Sequence, residues 1–242
     1  MMKYLSAIIF SIAIVIASYF LGSAYIERAN TNDSIKVTGA GNSNFTSDLI
    51  VWNGTFSRFS KDLKQAYEGI ALDKEIVNKY LEEKGIKEDE VIFNSVNTIE
   101  RTKSKYENGN FVGQEFEGYE LRQSIKVEST QVELIEKVAR EITELLNRGV
   151  QFNSTPPRYY YTKLADLKIE MISKATEDAK LRAERIAKNA GGKLGKLKKA
   201  DMGVFQITGR NSGEDYSWSG AYNTSSKKKT ASITMRLDYE IE

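Results

Sequence analysis

The chain has 242 residues, 35 basic against 33 acidic side chains, and neither histidine nor cysteine. The missing histidine rules out Ser-His-Asp and Cys-His catalysis, histidine-ligated metals, and any side chain that titrates unperturbed near neutrality. The missing cysteine rules out disulfides, thiolate nucleophiles, cysteine-held iron–sulfur clusters and lipidation of an N-terminal cysteine. Catalysis would fall to carboxylates, lysine, serine or tyrosine. The balanced charge lacks the basic excess of a nucleic-acid binder, so no nucleic-acid partner is expected.

Met1-Met2-Lys3 precedes an uncharged, largely apolar run from Tyr4 to Ile26. As a helix rising 1.5 Å per residue it would reach about 34 Å, enough for a bilayer core. The run also fits a secretory signal, with small residues Gly22 and Ala24 before a cut after Ala24. Its length favours an anchor, and Lys3 with the amino terminus favours the cytoplasmic side. The expected organisation is a signal anchor or signal peptide over 1–26, a polar tether over 27–34, and one exported domain over 35–242. That places the domain outside the cytoplasm on a single-pass inner-membrane helix, or free in the periplasm after cleavage.

Within the domain, IKVTGAG (35–41) predicts a short strand and DLIVWNGTFSRF (48–59) a second, rich in β-branched and aromatic residues. Residues 60–84 switch to helical period, with Leu63, Ala66, Tyr67, Ile70, Val77, Tyr80 and Leu81 on one stripe before Gly85. A strand near 91–101, a turn at Glu107–Asn110 and a strand over 119–128 follow. In the last of these, Tyr119, Leu121, Gln123, Ile125 and Val127 alternate with polar residues, which means one buried and one wet face. A second helix is expected over 130–147, with Val132, Ile135, Val138, Ile142, Leu145 and Leu146 inward. A strand over 150–161 is interrupted by Pro156-Pro157. A long helix over 163–190 stops at Gly191-Gly192, and strands near 197–208 and 230–241 close the chain. Helices that end in glycine and lead into strands predict an α+β fold: a mixed or antiparallel sheet with about three packing helices on one face.

The stretch KATEDAKLRAERIAKNAGGKLGK (174–196) ends in glycines and lysine and raises the question of a phosphate loop. Such a loop needs four residues between its glycines, a hydroxyl after the lysine, and a place ahead of a helix. Here three residues separate Gly191 from Gly195, Leu197 follows Lys196, and the glycines follow the helix, where the dipole repels anions. The stretch instead reads as a capped packing helix: Ala175, Ala179, Ala183 and Ala187 form a smooth ridge flanked by Ile172, Ile186 and Ala190. Lys174/Asp178, Asp178/Arg182, Lys180/Glu184 and Glu184/Lys188 stand at i,i+4 spacing on its other faces.

With these segments laid out, the chain resembles the SIMPL-domain family of exported bacterial envelope proteins. IKVTGAG looks like the family's opening strand, YLEEKGIKEDEVIFNSVNT like its helix, turn and strand, and TASITMRLDYEIE like its last strand. The strongest likeness is to the signature A-x-x-D-A-x-x-x-A-x-x-I/L-A…G-x-x-L-G, filled here by Ala175, Asp178, Ala179, Ala183, Ala187, Gly192, Leu194 and Gly195. The resemblance implies an α+β envelope domain, often oligomeric, with some members linked to oxidative-stress defence, and it implies no reaction. Segment 209–229 and the Pro-Pro kink depart from the family pattern.

Segment 209–229, GRNSGEDYSWSGAYNTSSKKK, is the other candidate. Linkers this long are functional or mobile, and Tyr216, Trp218 and Tyr222 could stack on a sugar or fill a partner's pocket. Tyr159, Tyr160 and Tyr161 read as packing residues with at least one inward, and Lys193–Lys199 as a solvated face beside Asp201. Clustered carboxylates, Glu88, Asp89 and Glu90 or Glu115, Glu117 and Glu120, show no acid/base pairing. The sequence therefore points to no catalytic residue, metal or cofactor. It leads to a non-enzymatic envelope protein, self-assembling and contributing to stress tolerance, with a glycan- or peptide-binding module on 209–229 as the alternative.

Overall fold

A computed structural model describes residues 2–30 and 34–241, with side chains placed for 10–25 and 34–241. The first helix, α1 (Met2–Asn30), contains the apolar run. It also absorbs half of the expected tether, whose residues 31–33 lie outside the described residues, while Ser34 already opens the first strand. Among the described residues no helix is long and apolar enough to cross a membrane. The ends of the Tyr4–Ile26 run lie outside the described side chains.

The α+β class holds, but the expected single sheet is in fact two, each with its own core and each antiparallel between its named strands. Strands β1 (Ser34–Thr46), β8 (Leu194–Met202), β9 (Gln206–Gly209) and β10 (Lys228–Ile241) make a four-stranded sheet. In it β1 lies at one edge, β10 in the middle, and β8 and β9 succeed each other along β10's far side. The six-stranded sheet holds β2 (Leu49–Ser60), β3 (Val91–Phe93), β4 (Asn97–Glu107), β5 (Asn110–Ser129), β6 (Phe152–Ser154) and β7 (Arg158–Tyr160).

Each core follows from alternation. In β10, Ala231, Ile233, Met235, Leu237 and Tyr239 are buried under helix α5 (Leu164–Asn189), while Ile241 at the strand's end stays 43% exposed. In the larger sheet Ile50, Trp52 and Phe56 of β2 and Leu121, Ile125 and Val127 of β5 meet helices α2 (Leu63–Glu83) and α3 (Val132–Glu141). Asp62 caps α2, accepting from the Gln65 N–H at 2.8 Å. The buried Asp73 is met by Arg58, whose Nε donates to Oδ2 at 2.9 Å.

Several boundaries move. The helix expected over 130–147 breaks at Ile142–Thr143 into α3 and the short α4 (Glu144–Asn147), so Leu146 turns outward instead of inward. Leu63 and Tyr67, on the expected apolar stripe of α2, are 38% and 46% exposed, while Ala66 between them is fully buried, so they flank the covered face rather than sit on it. The strand near 91–101 splits into β3 and β4, and that near 197–208 into β8 and β9. The strand expected from 119 starts at Asn110 and makes a long hairpin with β4, turning through Asn108 and Gly109 at positive φ. Pro156-Pro157 separates β6 from β7 as expected, both pairing with β2. The helix-end glycines Gly85, Gly149 and Gly191 all take positive φ.

Candidate functional site

The alanine ridge does what its spacing implied. Ala175, Ala179, Ala183 and Ala187 are buried along α5, one below the next, facing β1 and β10. Opposite them β1 offers glycine: a Cβ on Gly39 would stand 2.2 Å from the Ala175 carbonyl oxygen, and one on Gly41 2.5 Å from that of Met171. Helix and strand backbones thus touch, which only small residues on both sides allow. The sequence carried the signal, Gly39 and Gly41 two apart on a strand, but not the pairing with α5.

Asp178 stands beside this contact. Its Oδ2 accepts the Ala40 N–H at 2.9 Å, a strand-edge donor not taken by β10, and Arg182 bonds the same carboxylate. The Ala40 N–H first, and Arg182 second, hold the Asp178 carboxyl below the usual carboxylate range. Lys180 pairs with Glu184 as expected, but Lys174 turns to Glu170 rather than Asp178. Of the flanking residues Ile172 packs against the core, while Ile186 is half exposed. At the helix end the Gly192 N–H reaches the Ala187 carbonyl at 3.0 Å, and Gly191 supplies the left-handed cap. Leu194 and Gly195 begin β8, where a Cβ on Gly195 would press on Glu240. The signature is a packing device throughout.

Of segment 209–229, Gly209 ends β9 and Lys228 and Lys229 open β10, and residues 210–227 between them form a hydrogen-bonded loop. The Gln206 side chain organises it: Oε1 accepts the N–H groups of Ser217 (3.2 Å) and Ala221 (2.6 Å), and Nε2 donates to the Ser217 carbonyl at 2.7 Å. Glu214 takes the Gly209 N–H at 2.9 Å and pairs with the Asn223 amide, and Ile207 and Asn223 exchange backbone bonds with the returning chain.

The three aromatic residues of this loop separate. Tyr216 and Trp218 border a groove of about 300 Å³ with Val204, Ser217, Ser232 and Thr234, and the Tyr216 hydroxyl donates to Ser232 at 3.2 Å. No residue lining the groove is charged. Trp218 is 100% exposed. Tyr222 lies elsewhere, its ring over the Lys229 ammonium at 5.8 Å. Lys229 is buried and donates to the Tyr159 carbonyl at 2.6 Å, and desolvation pulls its pKa down to about 8. Sequence reading missed Gln206 and Lys229. Buried polar side chains amid apolar strands leave no periodic trace.

Of the tyrosine triplet, Tyr159 and Tyr161 pack against the two different cores. The Tyr159 hydroxyl donates to Glu136 at 2.9 Å, and burial first, with Glu136 second, pushes its pKa up to about 12. The clustered carboxylates serve structure: Glu120 pairs with Arg101 and Arg122, Glu115 with Lys103, and Glu90 accepts from Ser129 at 2.6 Å. Lys199 pairs with Asp201.

Set beside known proteins, residues 35–239 match the family model described as SIMPL, protein of unknown function (DUF541). No curated protein matches the chain.

Proposed function

The chain belongs to the SIMPL family, and from that premise we propose an exported, non-catalytic envelope protein that acts by binding, with Trp218 and Tyr216 as its contact residues. One observation carries this reading: a hydrogen-bonded loop holds an indole wholly in water beside a groove. An indole that buries nothing contributes nothing to the core, and exposed aromatics on a fixed backbone are the common anchors of binding surfaces. Export is supported by the apolar N-terminal run behind Lys3. The ligand class within reach of this loop is a glycan or a peptide of the envelope. Tyr222 acts from behind, through Lys229, rather than as a contact. Retention of the protein on isolated envelope material is expected to fall at least tenfold in Trp218→Ala with Tyr216→Ala. Retention unchanged from the parent chain sinks the reading.

Self-assembly is a second reading, favoured by the β4–β5 hairpin. Beyond Ser60, where β2 ends its pairing with Tyr119, the two strands pair only with each other among the described residues. They expose Tyr106 (63%), Phe111 (57%) and Phe116 (49%). A two-stranded ladder is marginal alone in water, and a second copy laid on these rings would stabilise it. Light scattering decides the matter: an oligomer that dissociates in Tyr106→Ser with Phe111→Ser supports assembly, and a monomer at micromolar concentration ends it. A contribution to stress tolerance falls if a deletion strain withstands peroxide like its parent. Without cysteine, such a contribution cannot pass through a thiol of this chain.

A further inference from the structure

The groove beside Trp218 opens onto the face of the four-stranded sheet opposite α5, and among the described residues no helix covers that face. Along it β1 turns out Thr38, Ala40 and Asn42, and β10 turns out Thr234 and Arg236, all exposed. The register sets Asn42 beside Ser232, Ala40 beside Thr234, and Thr38 beside Arg236. The result is a flat strip of short hydroxyl and amide side chains, with strands about 4.8 Å apart, that starts at an upright indole. Charge lies at the two ends of this face: Arg236, with Asp201 registered beside it, and Asp238, which Lys36 meets at 4.0 Å, at one end, and Lys228 at the other.

Three features of this strip select its occupant. The lining of the groove carries no cation to pair with a phosphate or carboxylate. A peptide adding as a strand needs a free edge, and beside the groove β9 has spent its edge on the returning loop. There Ile207 donates to the Ala221 carbonyl at 2.7 Å and accepts from the Asn223 N–H at 2.9 Å. What remains is a ligand with one apolar face for the indole and a rim of hydroxyls for the strip. The negative face of the indole attracts the weakly positive C–H groups on one side of a pyranose ring. Ser, Thr and Asn then meet hydroxyl groups that donate and accept alike.

We infer that the ligand is an uncharged carbohydrate chain, with one ring stacked on Trp218 and the following rings lying over Thr234, Ala40, Thr38 and Asn42. This rests on the loop being a binding surface, as proposed above, and names its ligand class. Ala40 sits mid-strip, where a larger side chain would break the flat surface.

Intrinsic fluorescence tests it on the full chain, since the only other tryptophan, Trp52, is buried and keeps a separate, blue emission. The probes are uncharged tetramers of N-acetylglucosamine and of glucose, and an uncharged apolar hexapeptide, each taken to about 10 mM. A saturable change in the Trp218 emission with a sugar tetramer is expected, weakened at least tenfold by Thr234→Val with Asn42→Leu, which leave the reporter in place. Calorimetry on Trp218→Ala should show the same loss. Response to the peptide alone overturns the carbohydrate assignment and leaves the binding loop standing. Response to no probe removes both. Sugar binding that survives Trp218→Ala unchanged overturns the site.

Discussion

Lys229 is a cation with a carbonyl and a ring for company. The Tyr159 carbonyl and the Tyr222 face meet its ammonium, and burial, opposed by the Glu214 charge, lowers its pKa to about 8. The folded value lies below the unfolded one, so between about pH 8 and pH 10.4 the unfolded chain binds more protons. Stability contributed by this group therefore rises with pH across that window, by at most about 3 kcal/mol and less where water screens the ammonium. Urea titrations at pH 7.5 and 9.5 should show the rise, and Lys229→Met should abolish it. Asp178 works in the same direction, in an acidic window. Its pKa is held down in the folded state, so its contribution is present above the unfolded carboxylate pKa and is lost as pH falls through the folded one. Asp178→Ala would also leave the Ala40 N–H open on an edge strand. Edge strands with unpaired donors invite pairing with other chains. Light scattering should then show self-association beyond that of the parent.

Among the elements, α5 and β1 meet backbone to backbone. Gly39→Ala would force a methyl into the Ala175 carbonyl and Ala179 backbone, neither of which can swing aside. Overpacking of this kind costs about 1–3 kcal/mol and more where backbone must move, readable as a lowered urea midpoint at constant slope. Elements with one strong period were legible in the sequence: α5 by its four-residue alanine spacing, β10 and the inner part of β5 by strict alternation. The misread elements had no such internal signal. The break at Ile142–Thr143 falls where an apolar pattern continues unbroken, and the outer half of β5 is exposed on both faces, so alternation never marks it. The groove was half legible. Tyr216 and Trp218 stand out in a polar loop, but the strip they border is drawn from β1 and β10, at opposite ends of the sequence. Local reading cannot join residues that only a sheet register brings together.

At the scale of the whole molecule, two cores with no shared residue imply two units of stability. Trp52→Ala, deep in the larger core, should cost about 3–5 kcal/mol there. Hydrogen exchange should show faster opening of amides over 49–160, with those of α5 and β10 unchanged; equal loss in both would mean one cooperative unit. The units meet at a small polar joint. Thr162 donates through N–H and hydroxyl to Asp48, both at 2.7 Å, Asp48 returns its N–H to Tyr160 at 3.1 Å, and Lys227 bridges to Glu133 and Glu136. Everything between Asp48 and Thr162 is thus a loop inserted into the smaller sheet, entering and leaving at one point. Chain growth then imposes an order of folding. The inserted unit holds all its strand pairings within itself and can close as soon as Tyr160 is made, whereas β1, made earlier, must wait for β10, the last of the described strands. Through that interval β1 is an unpaired strand, and Gly39 and Gly41 separate Ile35 and Val37 from Phe45 on its inner face, so no continuous apolar run is left to aggregate.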